Sequence, residues 1–129
     1  MKGGGEKGAS NQQVGEAGEE LAVALLSAKG YRIIERNFRC KGGEVDIVAR
    51  DGSTLVFVEV KTRRDLSYGP PQLAVTPFKQ RQISKAALTW LARAKKPDAA
   101  ARFDVVAITL LAGASPQVEH IVNAFDLAY

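Results

Sequence analysis

The stretch EVDIVARDGSTLVFVEVK, residues 44–61, decides the fold. Two runs rich in β-formers, 44–49 and 54–61, flank Arg50-Asp51-Gly52-Ser53, and Asp-Gly between such runs is a strong hairpin signal. With the turn centred on Asp51-Gly52, Glu44 faces Glu59, and Asp46 faces Phe57 with Glu59 as its diagonal neighbour. Alternation along the strands sorts Glu44, Asp46, Phe57, Glu59 and Lys61 onto one face. Val45, Ile47, Val56, Val58 and Val60 fall on the other. Three carboxylates on one side of neighbouring strands repel, and Lys61 offsets only one of them. A hard divalent cation held by carboxylate oxygens is the natural complement. An ordinary solvent face of a hairpin would also carry Glu and Lys, but Asp46 sits in mid-strand, where Asp is a poor strand former.

Outward from the hairpin, Val14, Ala17, Leu21, Leu25 and Ala28 recur at helical spacing, and Gly30 stops that helix. Residues 31–37 predict a short strand. Residues 62–75, with two prolines and a glycine, predict a loop containing Tyr68. Tyr68 is read as a loop anchor, with stacking on an exposed base as the alternative. Thr76-Pro77 is a good helix start, and Ile83, Ala87, Trp90, Leu91 and Ala94 form one face. Extended toward the N-terminus, that face reaches Gln80 and Lys79, which would point at the sheet. Residues 103–111 predict a strand buried on both sides, and 118–122 a last strand followed by a helical turn. The order is αβββαββ, a mixed α/β or α+β fold with a central mixed sheet flanked by helices. Residues 1–12, with four glycines and almost no apolar side chains, predict a disordered tail, and 13–129 a single domain.

Composition narrows the chemistry. The chain has 129 residues with 46% hydrophobic and 25% charged, ordinary for a soluble protein. No apolar run has the length of a membrane span, and the first residues lack the apolar core of a secretory signal, so a cytoplasmic protein without membrane partners is expected. One cysteine, Cys40, excludes an internal disulfide. One histidine, His120, leaves little room for a Cys/His zinc site or a His-assisted nucleophile. His120 is expected to pack in the last strand, and Cys40 to lie at the surface or a strand edge. Acid–base or metal chemistry must therefore come from carboxylates and lysines. The net charge is +4, with bases gathered at Lys29, Arg32, Arg36, Arg39 and Lys41, at Lys61, Arg63 and Arg64, and at Lys79, Arg81 and Lys85. Around one site these would favour a polyanion; apart, they are solvated faces.

Asp46, twelve residues, then Glu59-Val60-Lys61 resembles the D…(D/E)-x-K signature of the PD-(D/E)XK nuclease superfamily. A wider ordered set resembles the small bacterial YraN-type family: Gly15-Glu16-Ala17-Gly18-Glu19, Gly30-Tyr31, Asn37-Phe38-Arg39, Gly43-Glu44-Val45-Asp46, Phe57 to Lys61, Arg102-Phe103-Asp104 and Asn123-Ala124-Phe125. That family is endonuclease-like and similar to archaeal Holliday junction resolvases. The resemblance implies a restriction-endonuclease-like core and Mg²⁺-dependent hydrolysis of nucleic acid, with Mn²⁺ as a substitute. DNA is favoured over RNA, a role in DNA repair or recombination is implied, and a homodimer is expected by analogy. It further implies that Asp46 and Glu59 bind metal, that Lys61 is catalytic, and that Glu19 completes the metal site. Periodicity barely separates Glu19 from Glu20. Val45 stands where the superfamily's proline is often found. Arg36, Arg39, Arg63 and Arg64 are the candidate phosphate contacts, with plain surface charge as the alternative. Gln80 is the candidate polar residue of the helix, and Glu44 would tune the site from its edge. A nucleic-acid-binding module that keeps this fold without cutting is the rival reading, and an adaptor using its acidic face a more distant one.

Overall fold

The computed structural model describes residues 10–64 and 75–128. Helix α1 spans Asn11–Ala28, strand β1 Arg32–Cys40, β2 Gly43–Asp51, β3 Thr54–Arg63, helix α2 Pro77–Arg93, β4 Ala101–Thr109 and β5 Gln117–Phe125. The five strands form one sheet in sequence order, antiparallel except for the β3–β4 pair. A parallel pair needs a crossover, and α2 supplies it. Its face of the sheet is packed with Phe38, Val48, Phe57, Phe103 and Val105 against Ile83, Ala87 and Leu91. On the opposite face, Ala22 and Leu26 of α1 cover Ile47, Val56, Val58, Val106 and Ile108. This mixed α+β sandwich, in the order αβββαββ, is the expected architecture. Among the described residues no helix is long and apolar enough to cross a membrane.

Several boundaries move for identifiable reasons. Helix α1 begins at Asn11, inside the expected tail, because Ser10 and Gln13 form a reciprocal capping box at 3.1 and 2.9 Å. Residues 1–9 of that tail, and Tyr68 in the 65–74 segment, lie outside the described residues. Thr62 and Arg63, expected in a loop, extend β3 by pairing with Ile108 and Thr109 of β4. Strand β5 runs on to Phe125, opposite Phe103. The expected C-terminal helical turn is absent from the described residues. Past β5 the backbone is tied to α2 instead, the Ala128 amide donating to Ser84 Oγ at 2.9 Å.

The hairpin register also differs from expectation. Asp51 joins the strand and pairs with Thr54, leaving Gly52, with φ of 60°, and Ser53 as a two-residue turn. Ile47 therefore stands opposite Val58 and Val48 opposite Phe57, and Asp46, just past the last paired residues, interacts with Glu59. A slide of two residues preserves faces, so Phe57 still faces α2 while Val56 and Val58 face α1. Val45 is the exception: it packs on the α2 side, although Ile47 packs on the α1 side. The partner strand reverses at the same level, since Phe38 packs toward α2 while Arg36 reaches α1. Between them Asn37 adopts φ of 56°, a left-handed conformation that asparagine tolerates better than most residues. The two strands thus roll over together at Asn37 and Asp46.

Close approach of helix to sheet depends on two glycines. A side chain at Gly18 of α1 would collide with Thr62 of β3, and one at Gly43 of β2 would lie 2.7 Å from the Gln82 carbonyl and 2.8 Å from the Ala86 amide of α2. The opposite end of the sheet is tied by Asp104, fully buried in β4. It accepts from Arg102 Nε at 3.0 Å, His120 Nε2 at 2.8 Å and the Asn123 amide at 3.0 Å. Lys29 Nζ, a donor, lies 2.9 Å from His120 Nδ1, so the ring proton sits on Nε2 facing Asp104. His120 packs in β5, as expected. Asp104→Asn would leave the Arg102 guanidinium without its buried counter-charge. We expect a loss of about 3 kcal/mol, read from the urea unfolding midpoint.

Candidate metal and phosphodiester site

The site forms where β2 and β3 part. Beyond the Ile47–Val58 pair, the Val60 amide donates to Asp46 Oδ2 at 2.8 Å. The mid-strand aspartate thus receives the proton donor that a regular ladder would give to a backbone carbonyl. Glu59 lies beside it with its side chain only 5% exposed, and its Oε1 is buried with no hydrogen-bond partner. Burial pushes Glu59 up to about 8, helped by the Asp46 charge and by a hydrogen bond that keeps the proton on Glu59. Burial also raises Asp46, against the lowering effect of the Val60 amide.

The remaining charged groups fall into three sets. From α2, Lys79 Nζ lies 2.7 Å from Glu44 Oε1 and 3.8 Å from Glu59 Oε2. The hydrogen bond from Lys79 lowers Glu44, which Arg39 also approaches at 3.7 Å. Gln80, expected in the site, instead donates to the Val75 carbonyl at 3.0 Å, where it braces the chain entering α2. From α1, Glu19 accepts from Arg36 Nε at 2.8 Å and Asn37 Nδ2 at 3.2 Å, and Arg36 also binds Glu20 at 2.7 Å. Arg36, expected as a phosphate contact, is thereby committed to fixing α1 against β1. Along the cleft, of about 1010 Å³, lie Glu19, Arg39, Asp46, Lys61, Arg63 and Arg64. Lys61 is exposed there, and Arg63 Nε donates to Thr109 Oγ1 at 3.3 Å. Cys40 is half-buried at the end of β1.

Asp46, Glu59, Lys61 and Glu19 therefore share one region. Among the described residues, however, no three His, Cys, Asp or Glu side chains come close enough to enclose an ion by themselves. Two residues escaped the sequence reading. Asn37 served only as part of a motif, although asparagine is a residue that tolerates a left-handed turn. Lys79 was placed on the sheet-facing arc of its helix without a role.

Residues 18–108 match the uncharacterised protein family UPF0102. The chain belongs to this family. A UPF0102 protein of Geobacter sulfurreducens is 67% identical over 125 residues, covering 97% of this chain and 98% of its own. One from Pelobacter propionicus is 69% identical over 121 residues, covering 92% and 86%, and one from Rhodococcus opacus is 50% identical over 117 residues, covering 91% and 99%. The segment matching UPF0102 runs from Gly18 into β4, so Glu19, Asp46, Glu59, Lys61 and Lys79 all lie within it.

The raised carboxyls make the folded chain sensitive to alkali. Glu59 is raised from its ordinary value to about 8, so the folded chain holds a proton that the unfolded chain releases. Stability is then fullest below the unfolded value and falls as pH rises through the folded one. With divalent ions chelated, urea unfolding between pH 5 and 9 should show a decline of up to about 1.4 kcal/mol per pH unit. Glu59→Gln, which mimics the protonated form, should flatten it.

Proposed function

We propose that this chain is a Mg²⁺-dependent endonuclease hydrolysing phosphodiester bonds in DNA, with four-way-junction DNA as its substrate in repair or recombination. The observation that carries this reading is the Asp46–Glu59 pair: two adjacent carboxyls, largely withdrawn from water, one with a buried oxygen that no protein group satisfies. The all-oxygen donor set of such a pair suits Mg²⁺, or Mn²⁺ in its place. Asp46 and Glu59 would hold the ion, leaving further positions to backbone carbonyls, water or substrate. When bound, it supplies Lewis acidity at a phosphoryl oxygen.

The chain's own residues do the rest. Lys61, exposed in the same cleft, sets an ammonium where negative charge accumulates on the reacting phosphate. Arg39, with Arg63 and Arg64 at the same cleft, supports contacts to flanking phosphates. Glu19 stands by from α1, fixed by Arg36 and Asn37. A four-way junction presents two symmetric cuts, which makes a cytoplasmic homodimer the working unit. One specific observation favours the rival reading, a nucleic-acid-binding module that does not cut. Glu19 and Glu44 are already engaged by Arg36 and Lys79, and no three-ligand group closes around an ion among the described residues.

Labelled duplex, single-stranded, flap and four-way-junction DNA, offered with Mg²⁺ or Mn²⁺, distinguish the two. The endonuclease reading expects junction cleavage that disappears in Glu59→Ala and drops by about 100-fold or more in Lys61→Ala. Salt-sensitive binding of the same DNA without any cleavage would establish the silent module instead.

A further inference from the structure

We propose that the ammonium of Lys79 is the built-in second cation of this site, so that the chain takes one divalent ion and not two. The inference rests on the metal-binding reading of Asp46 and Glu59. Lys79 is the third residue of α2, and its amide donates to the Thr76 side chain at 3.2 Å, which fixes the first turn. The side chain then runs inward, 23% exposed, to a 2.7 Å hydrogen bond with Glu44 and a 3.8 Å ion pair with Glu59. A lysine with nothing to hold would leave its ammonium in water. This one is stationed between two carboxylates on different strands. The two oxygens of Glu59 are consequently divided: Oε2 faces the ammonium, and Oε1 is buried and unpartnered.

That division separates two sets of carboxylate oxygens. On one side, Glu44 and Glu59 Oε2 already share a single positive charge, and a divalent ion entering there would have to expel it. In the other set, Asp46 takes its hydrogen bond from the Val60 amide at 2.8 Å, and Glu59 Oε1 takes none. One side is therefore filled by the protein itself, and only one is left for a metal. Two-metal phosphodiester chemistry places both ions within about 4 Å of each other, bridging the reacting phosphate. The Lys79 ammonium, 2.7 Å from Glu44 and 3.8 Å from Glu59, already sets a positive charge on the oxygens that a second ion would need.

Mn²⁺ binding by the full chain, measured by equilibrium dialysis with the unbound ion counted by electron paramagnetic resonance, tests this. Wild type should bind one Mn²⁺ per chain, and Asp46→Ala should bind none. Lys79→Ala should bind two, with the second lost again in Glu44→Ala/Lys79→Ala, while Lys79→Arg should stay at one. Should the truncation unfold the chain, Lys79→Gln keeps a donor to Glu44 without the charge and carries the same expectation. Two ions bound by wild type overturn the inference. So does one ion in both neutral variants with unchanged affinity; either result leaves the metal site standing. No binding by any variant overturns both readings.

Discussion

Opposing carboxylates on neighbouring strands repel, and the repulsion grows as water is withdrawn from them. Asp46 and Glu59 are brought together just past Ile47 and Val58, where the paired part of β2 and β3 ends. Their surroundings moderate the repulsion by several means at once. The Val60 amide stabilises Asp46, a retained proton relieves Glu59, and Lys79 sets a positive charge beside the pair. None of these satisfies Glu59 Oε1. Among the described residues the imbalance is local, because the other buried side-chain polar atoms have partners, as the three donors around Asp104 illustrate. A protein that surrounds one buried carboxylate fully, yet leaves another without a partner just behind Asp46 in the wall of a basic cleft, has concentrated its unsatisfied polarity beside a cavity.

The geometry that holds this imbalance is built from small residues and one unusual backbone conformation. Gly18 lets α1 settle on β3, which brings Glu19 to the cleft, and Gly43 lets α2 settle on β2, which brings Lys79 to Glu44. Asn37 turns β1 through the left-handed region, and its side chain holds Glu19. Backbone path and charge placement are thus the work of the same residues. This gives a physical reason for the runs Gly-Glu at 18–19, Gly-Glu at 43–44 and Asn-Phe-Arg at 37–39.

Much of this was legible in the sequence because alternation and turn chemistry are local. The run 44–61 carries the hairpin, the acidic set and the partnership of Asp46 with Glu59 even though the turn lies one residue further on, since that moves each cross-strand partner by two and keeps each side chain on its face. Val45 was assigned to the wrong side because alternation assumes an unbroken pleat, and the left-handed Asn37 lies on the other strand. Gln80 and Lys79 were indistinguishable by helical arc. A rotation of one residue decides which of them reaches the sheet, and packing of α2 on Gly43 sets that rotation. Arg36 could not be recognised as structural, because its partners Glu19 and Glu20 belong to a different element.

The parallel pairing of β3 with β4 has a consequence for the order in which the chain can assemble. Asp46 and Val60 are 14 positions apart, and their contact closes with the hairpin alone. Lys79 reaches Glu44 across 35 positions, and only after the crossover helix has docked. Short-range contacts form at lower entropic cost than long-range ones. A nascent chain that has emerged only as far as β3 therefore already contains the acidic pair, while the lysine that tempers it is still to come. During synthesis, the site exists first as bare negative charge.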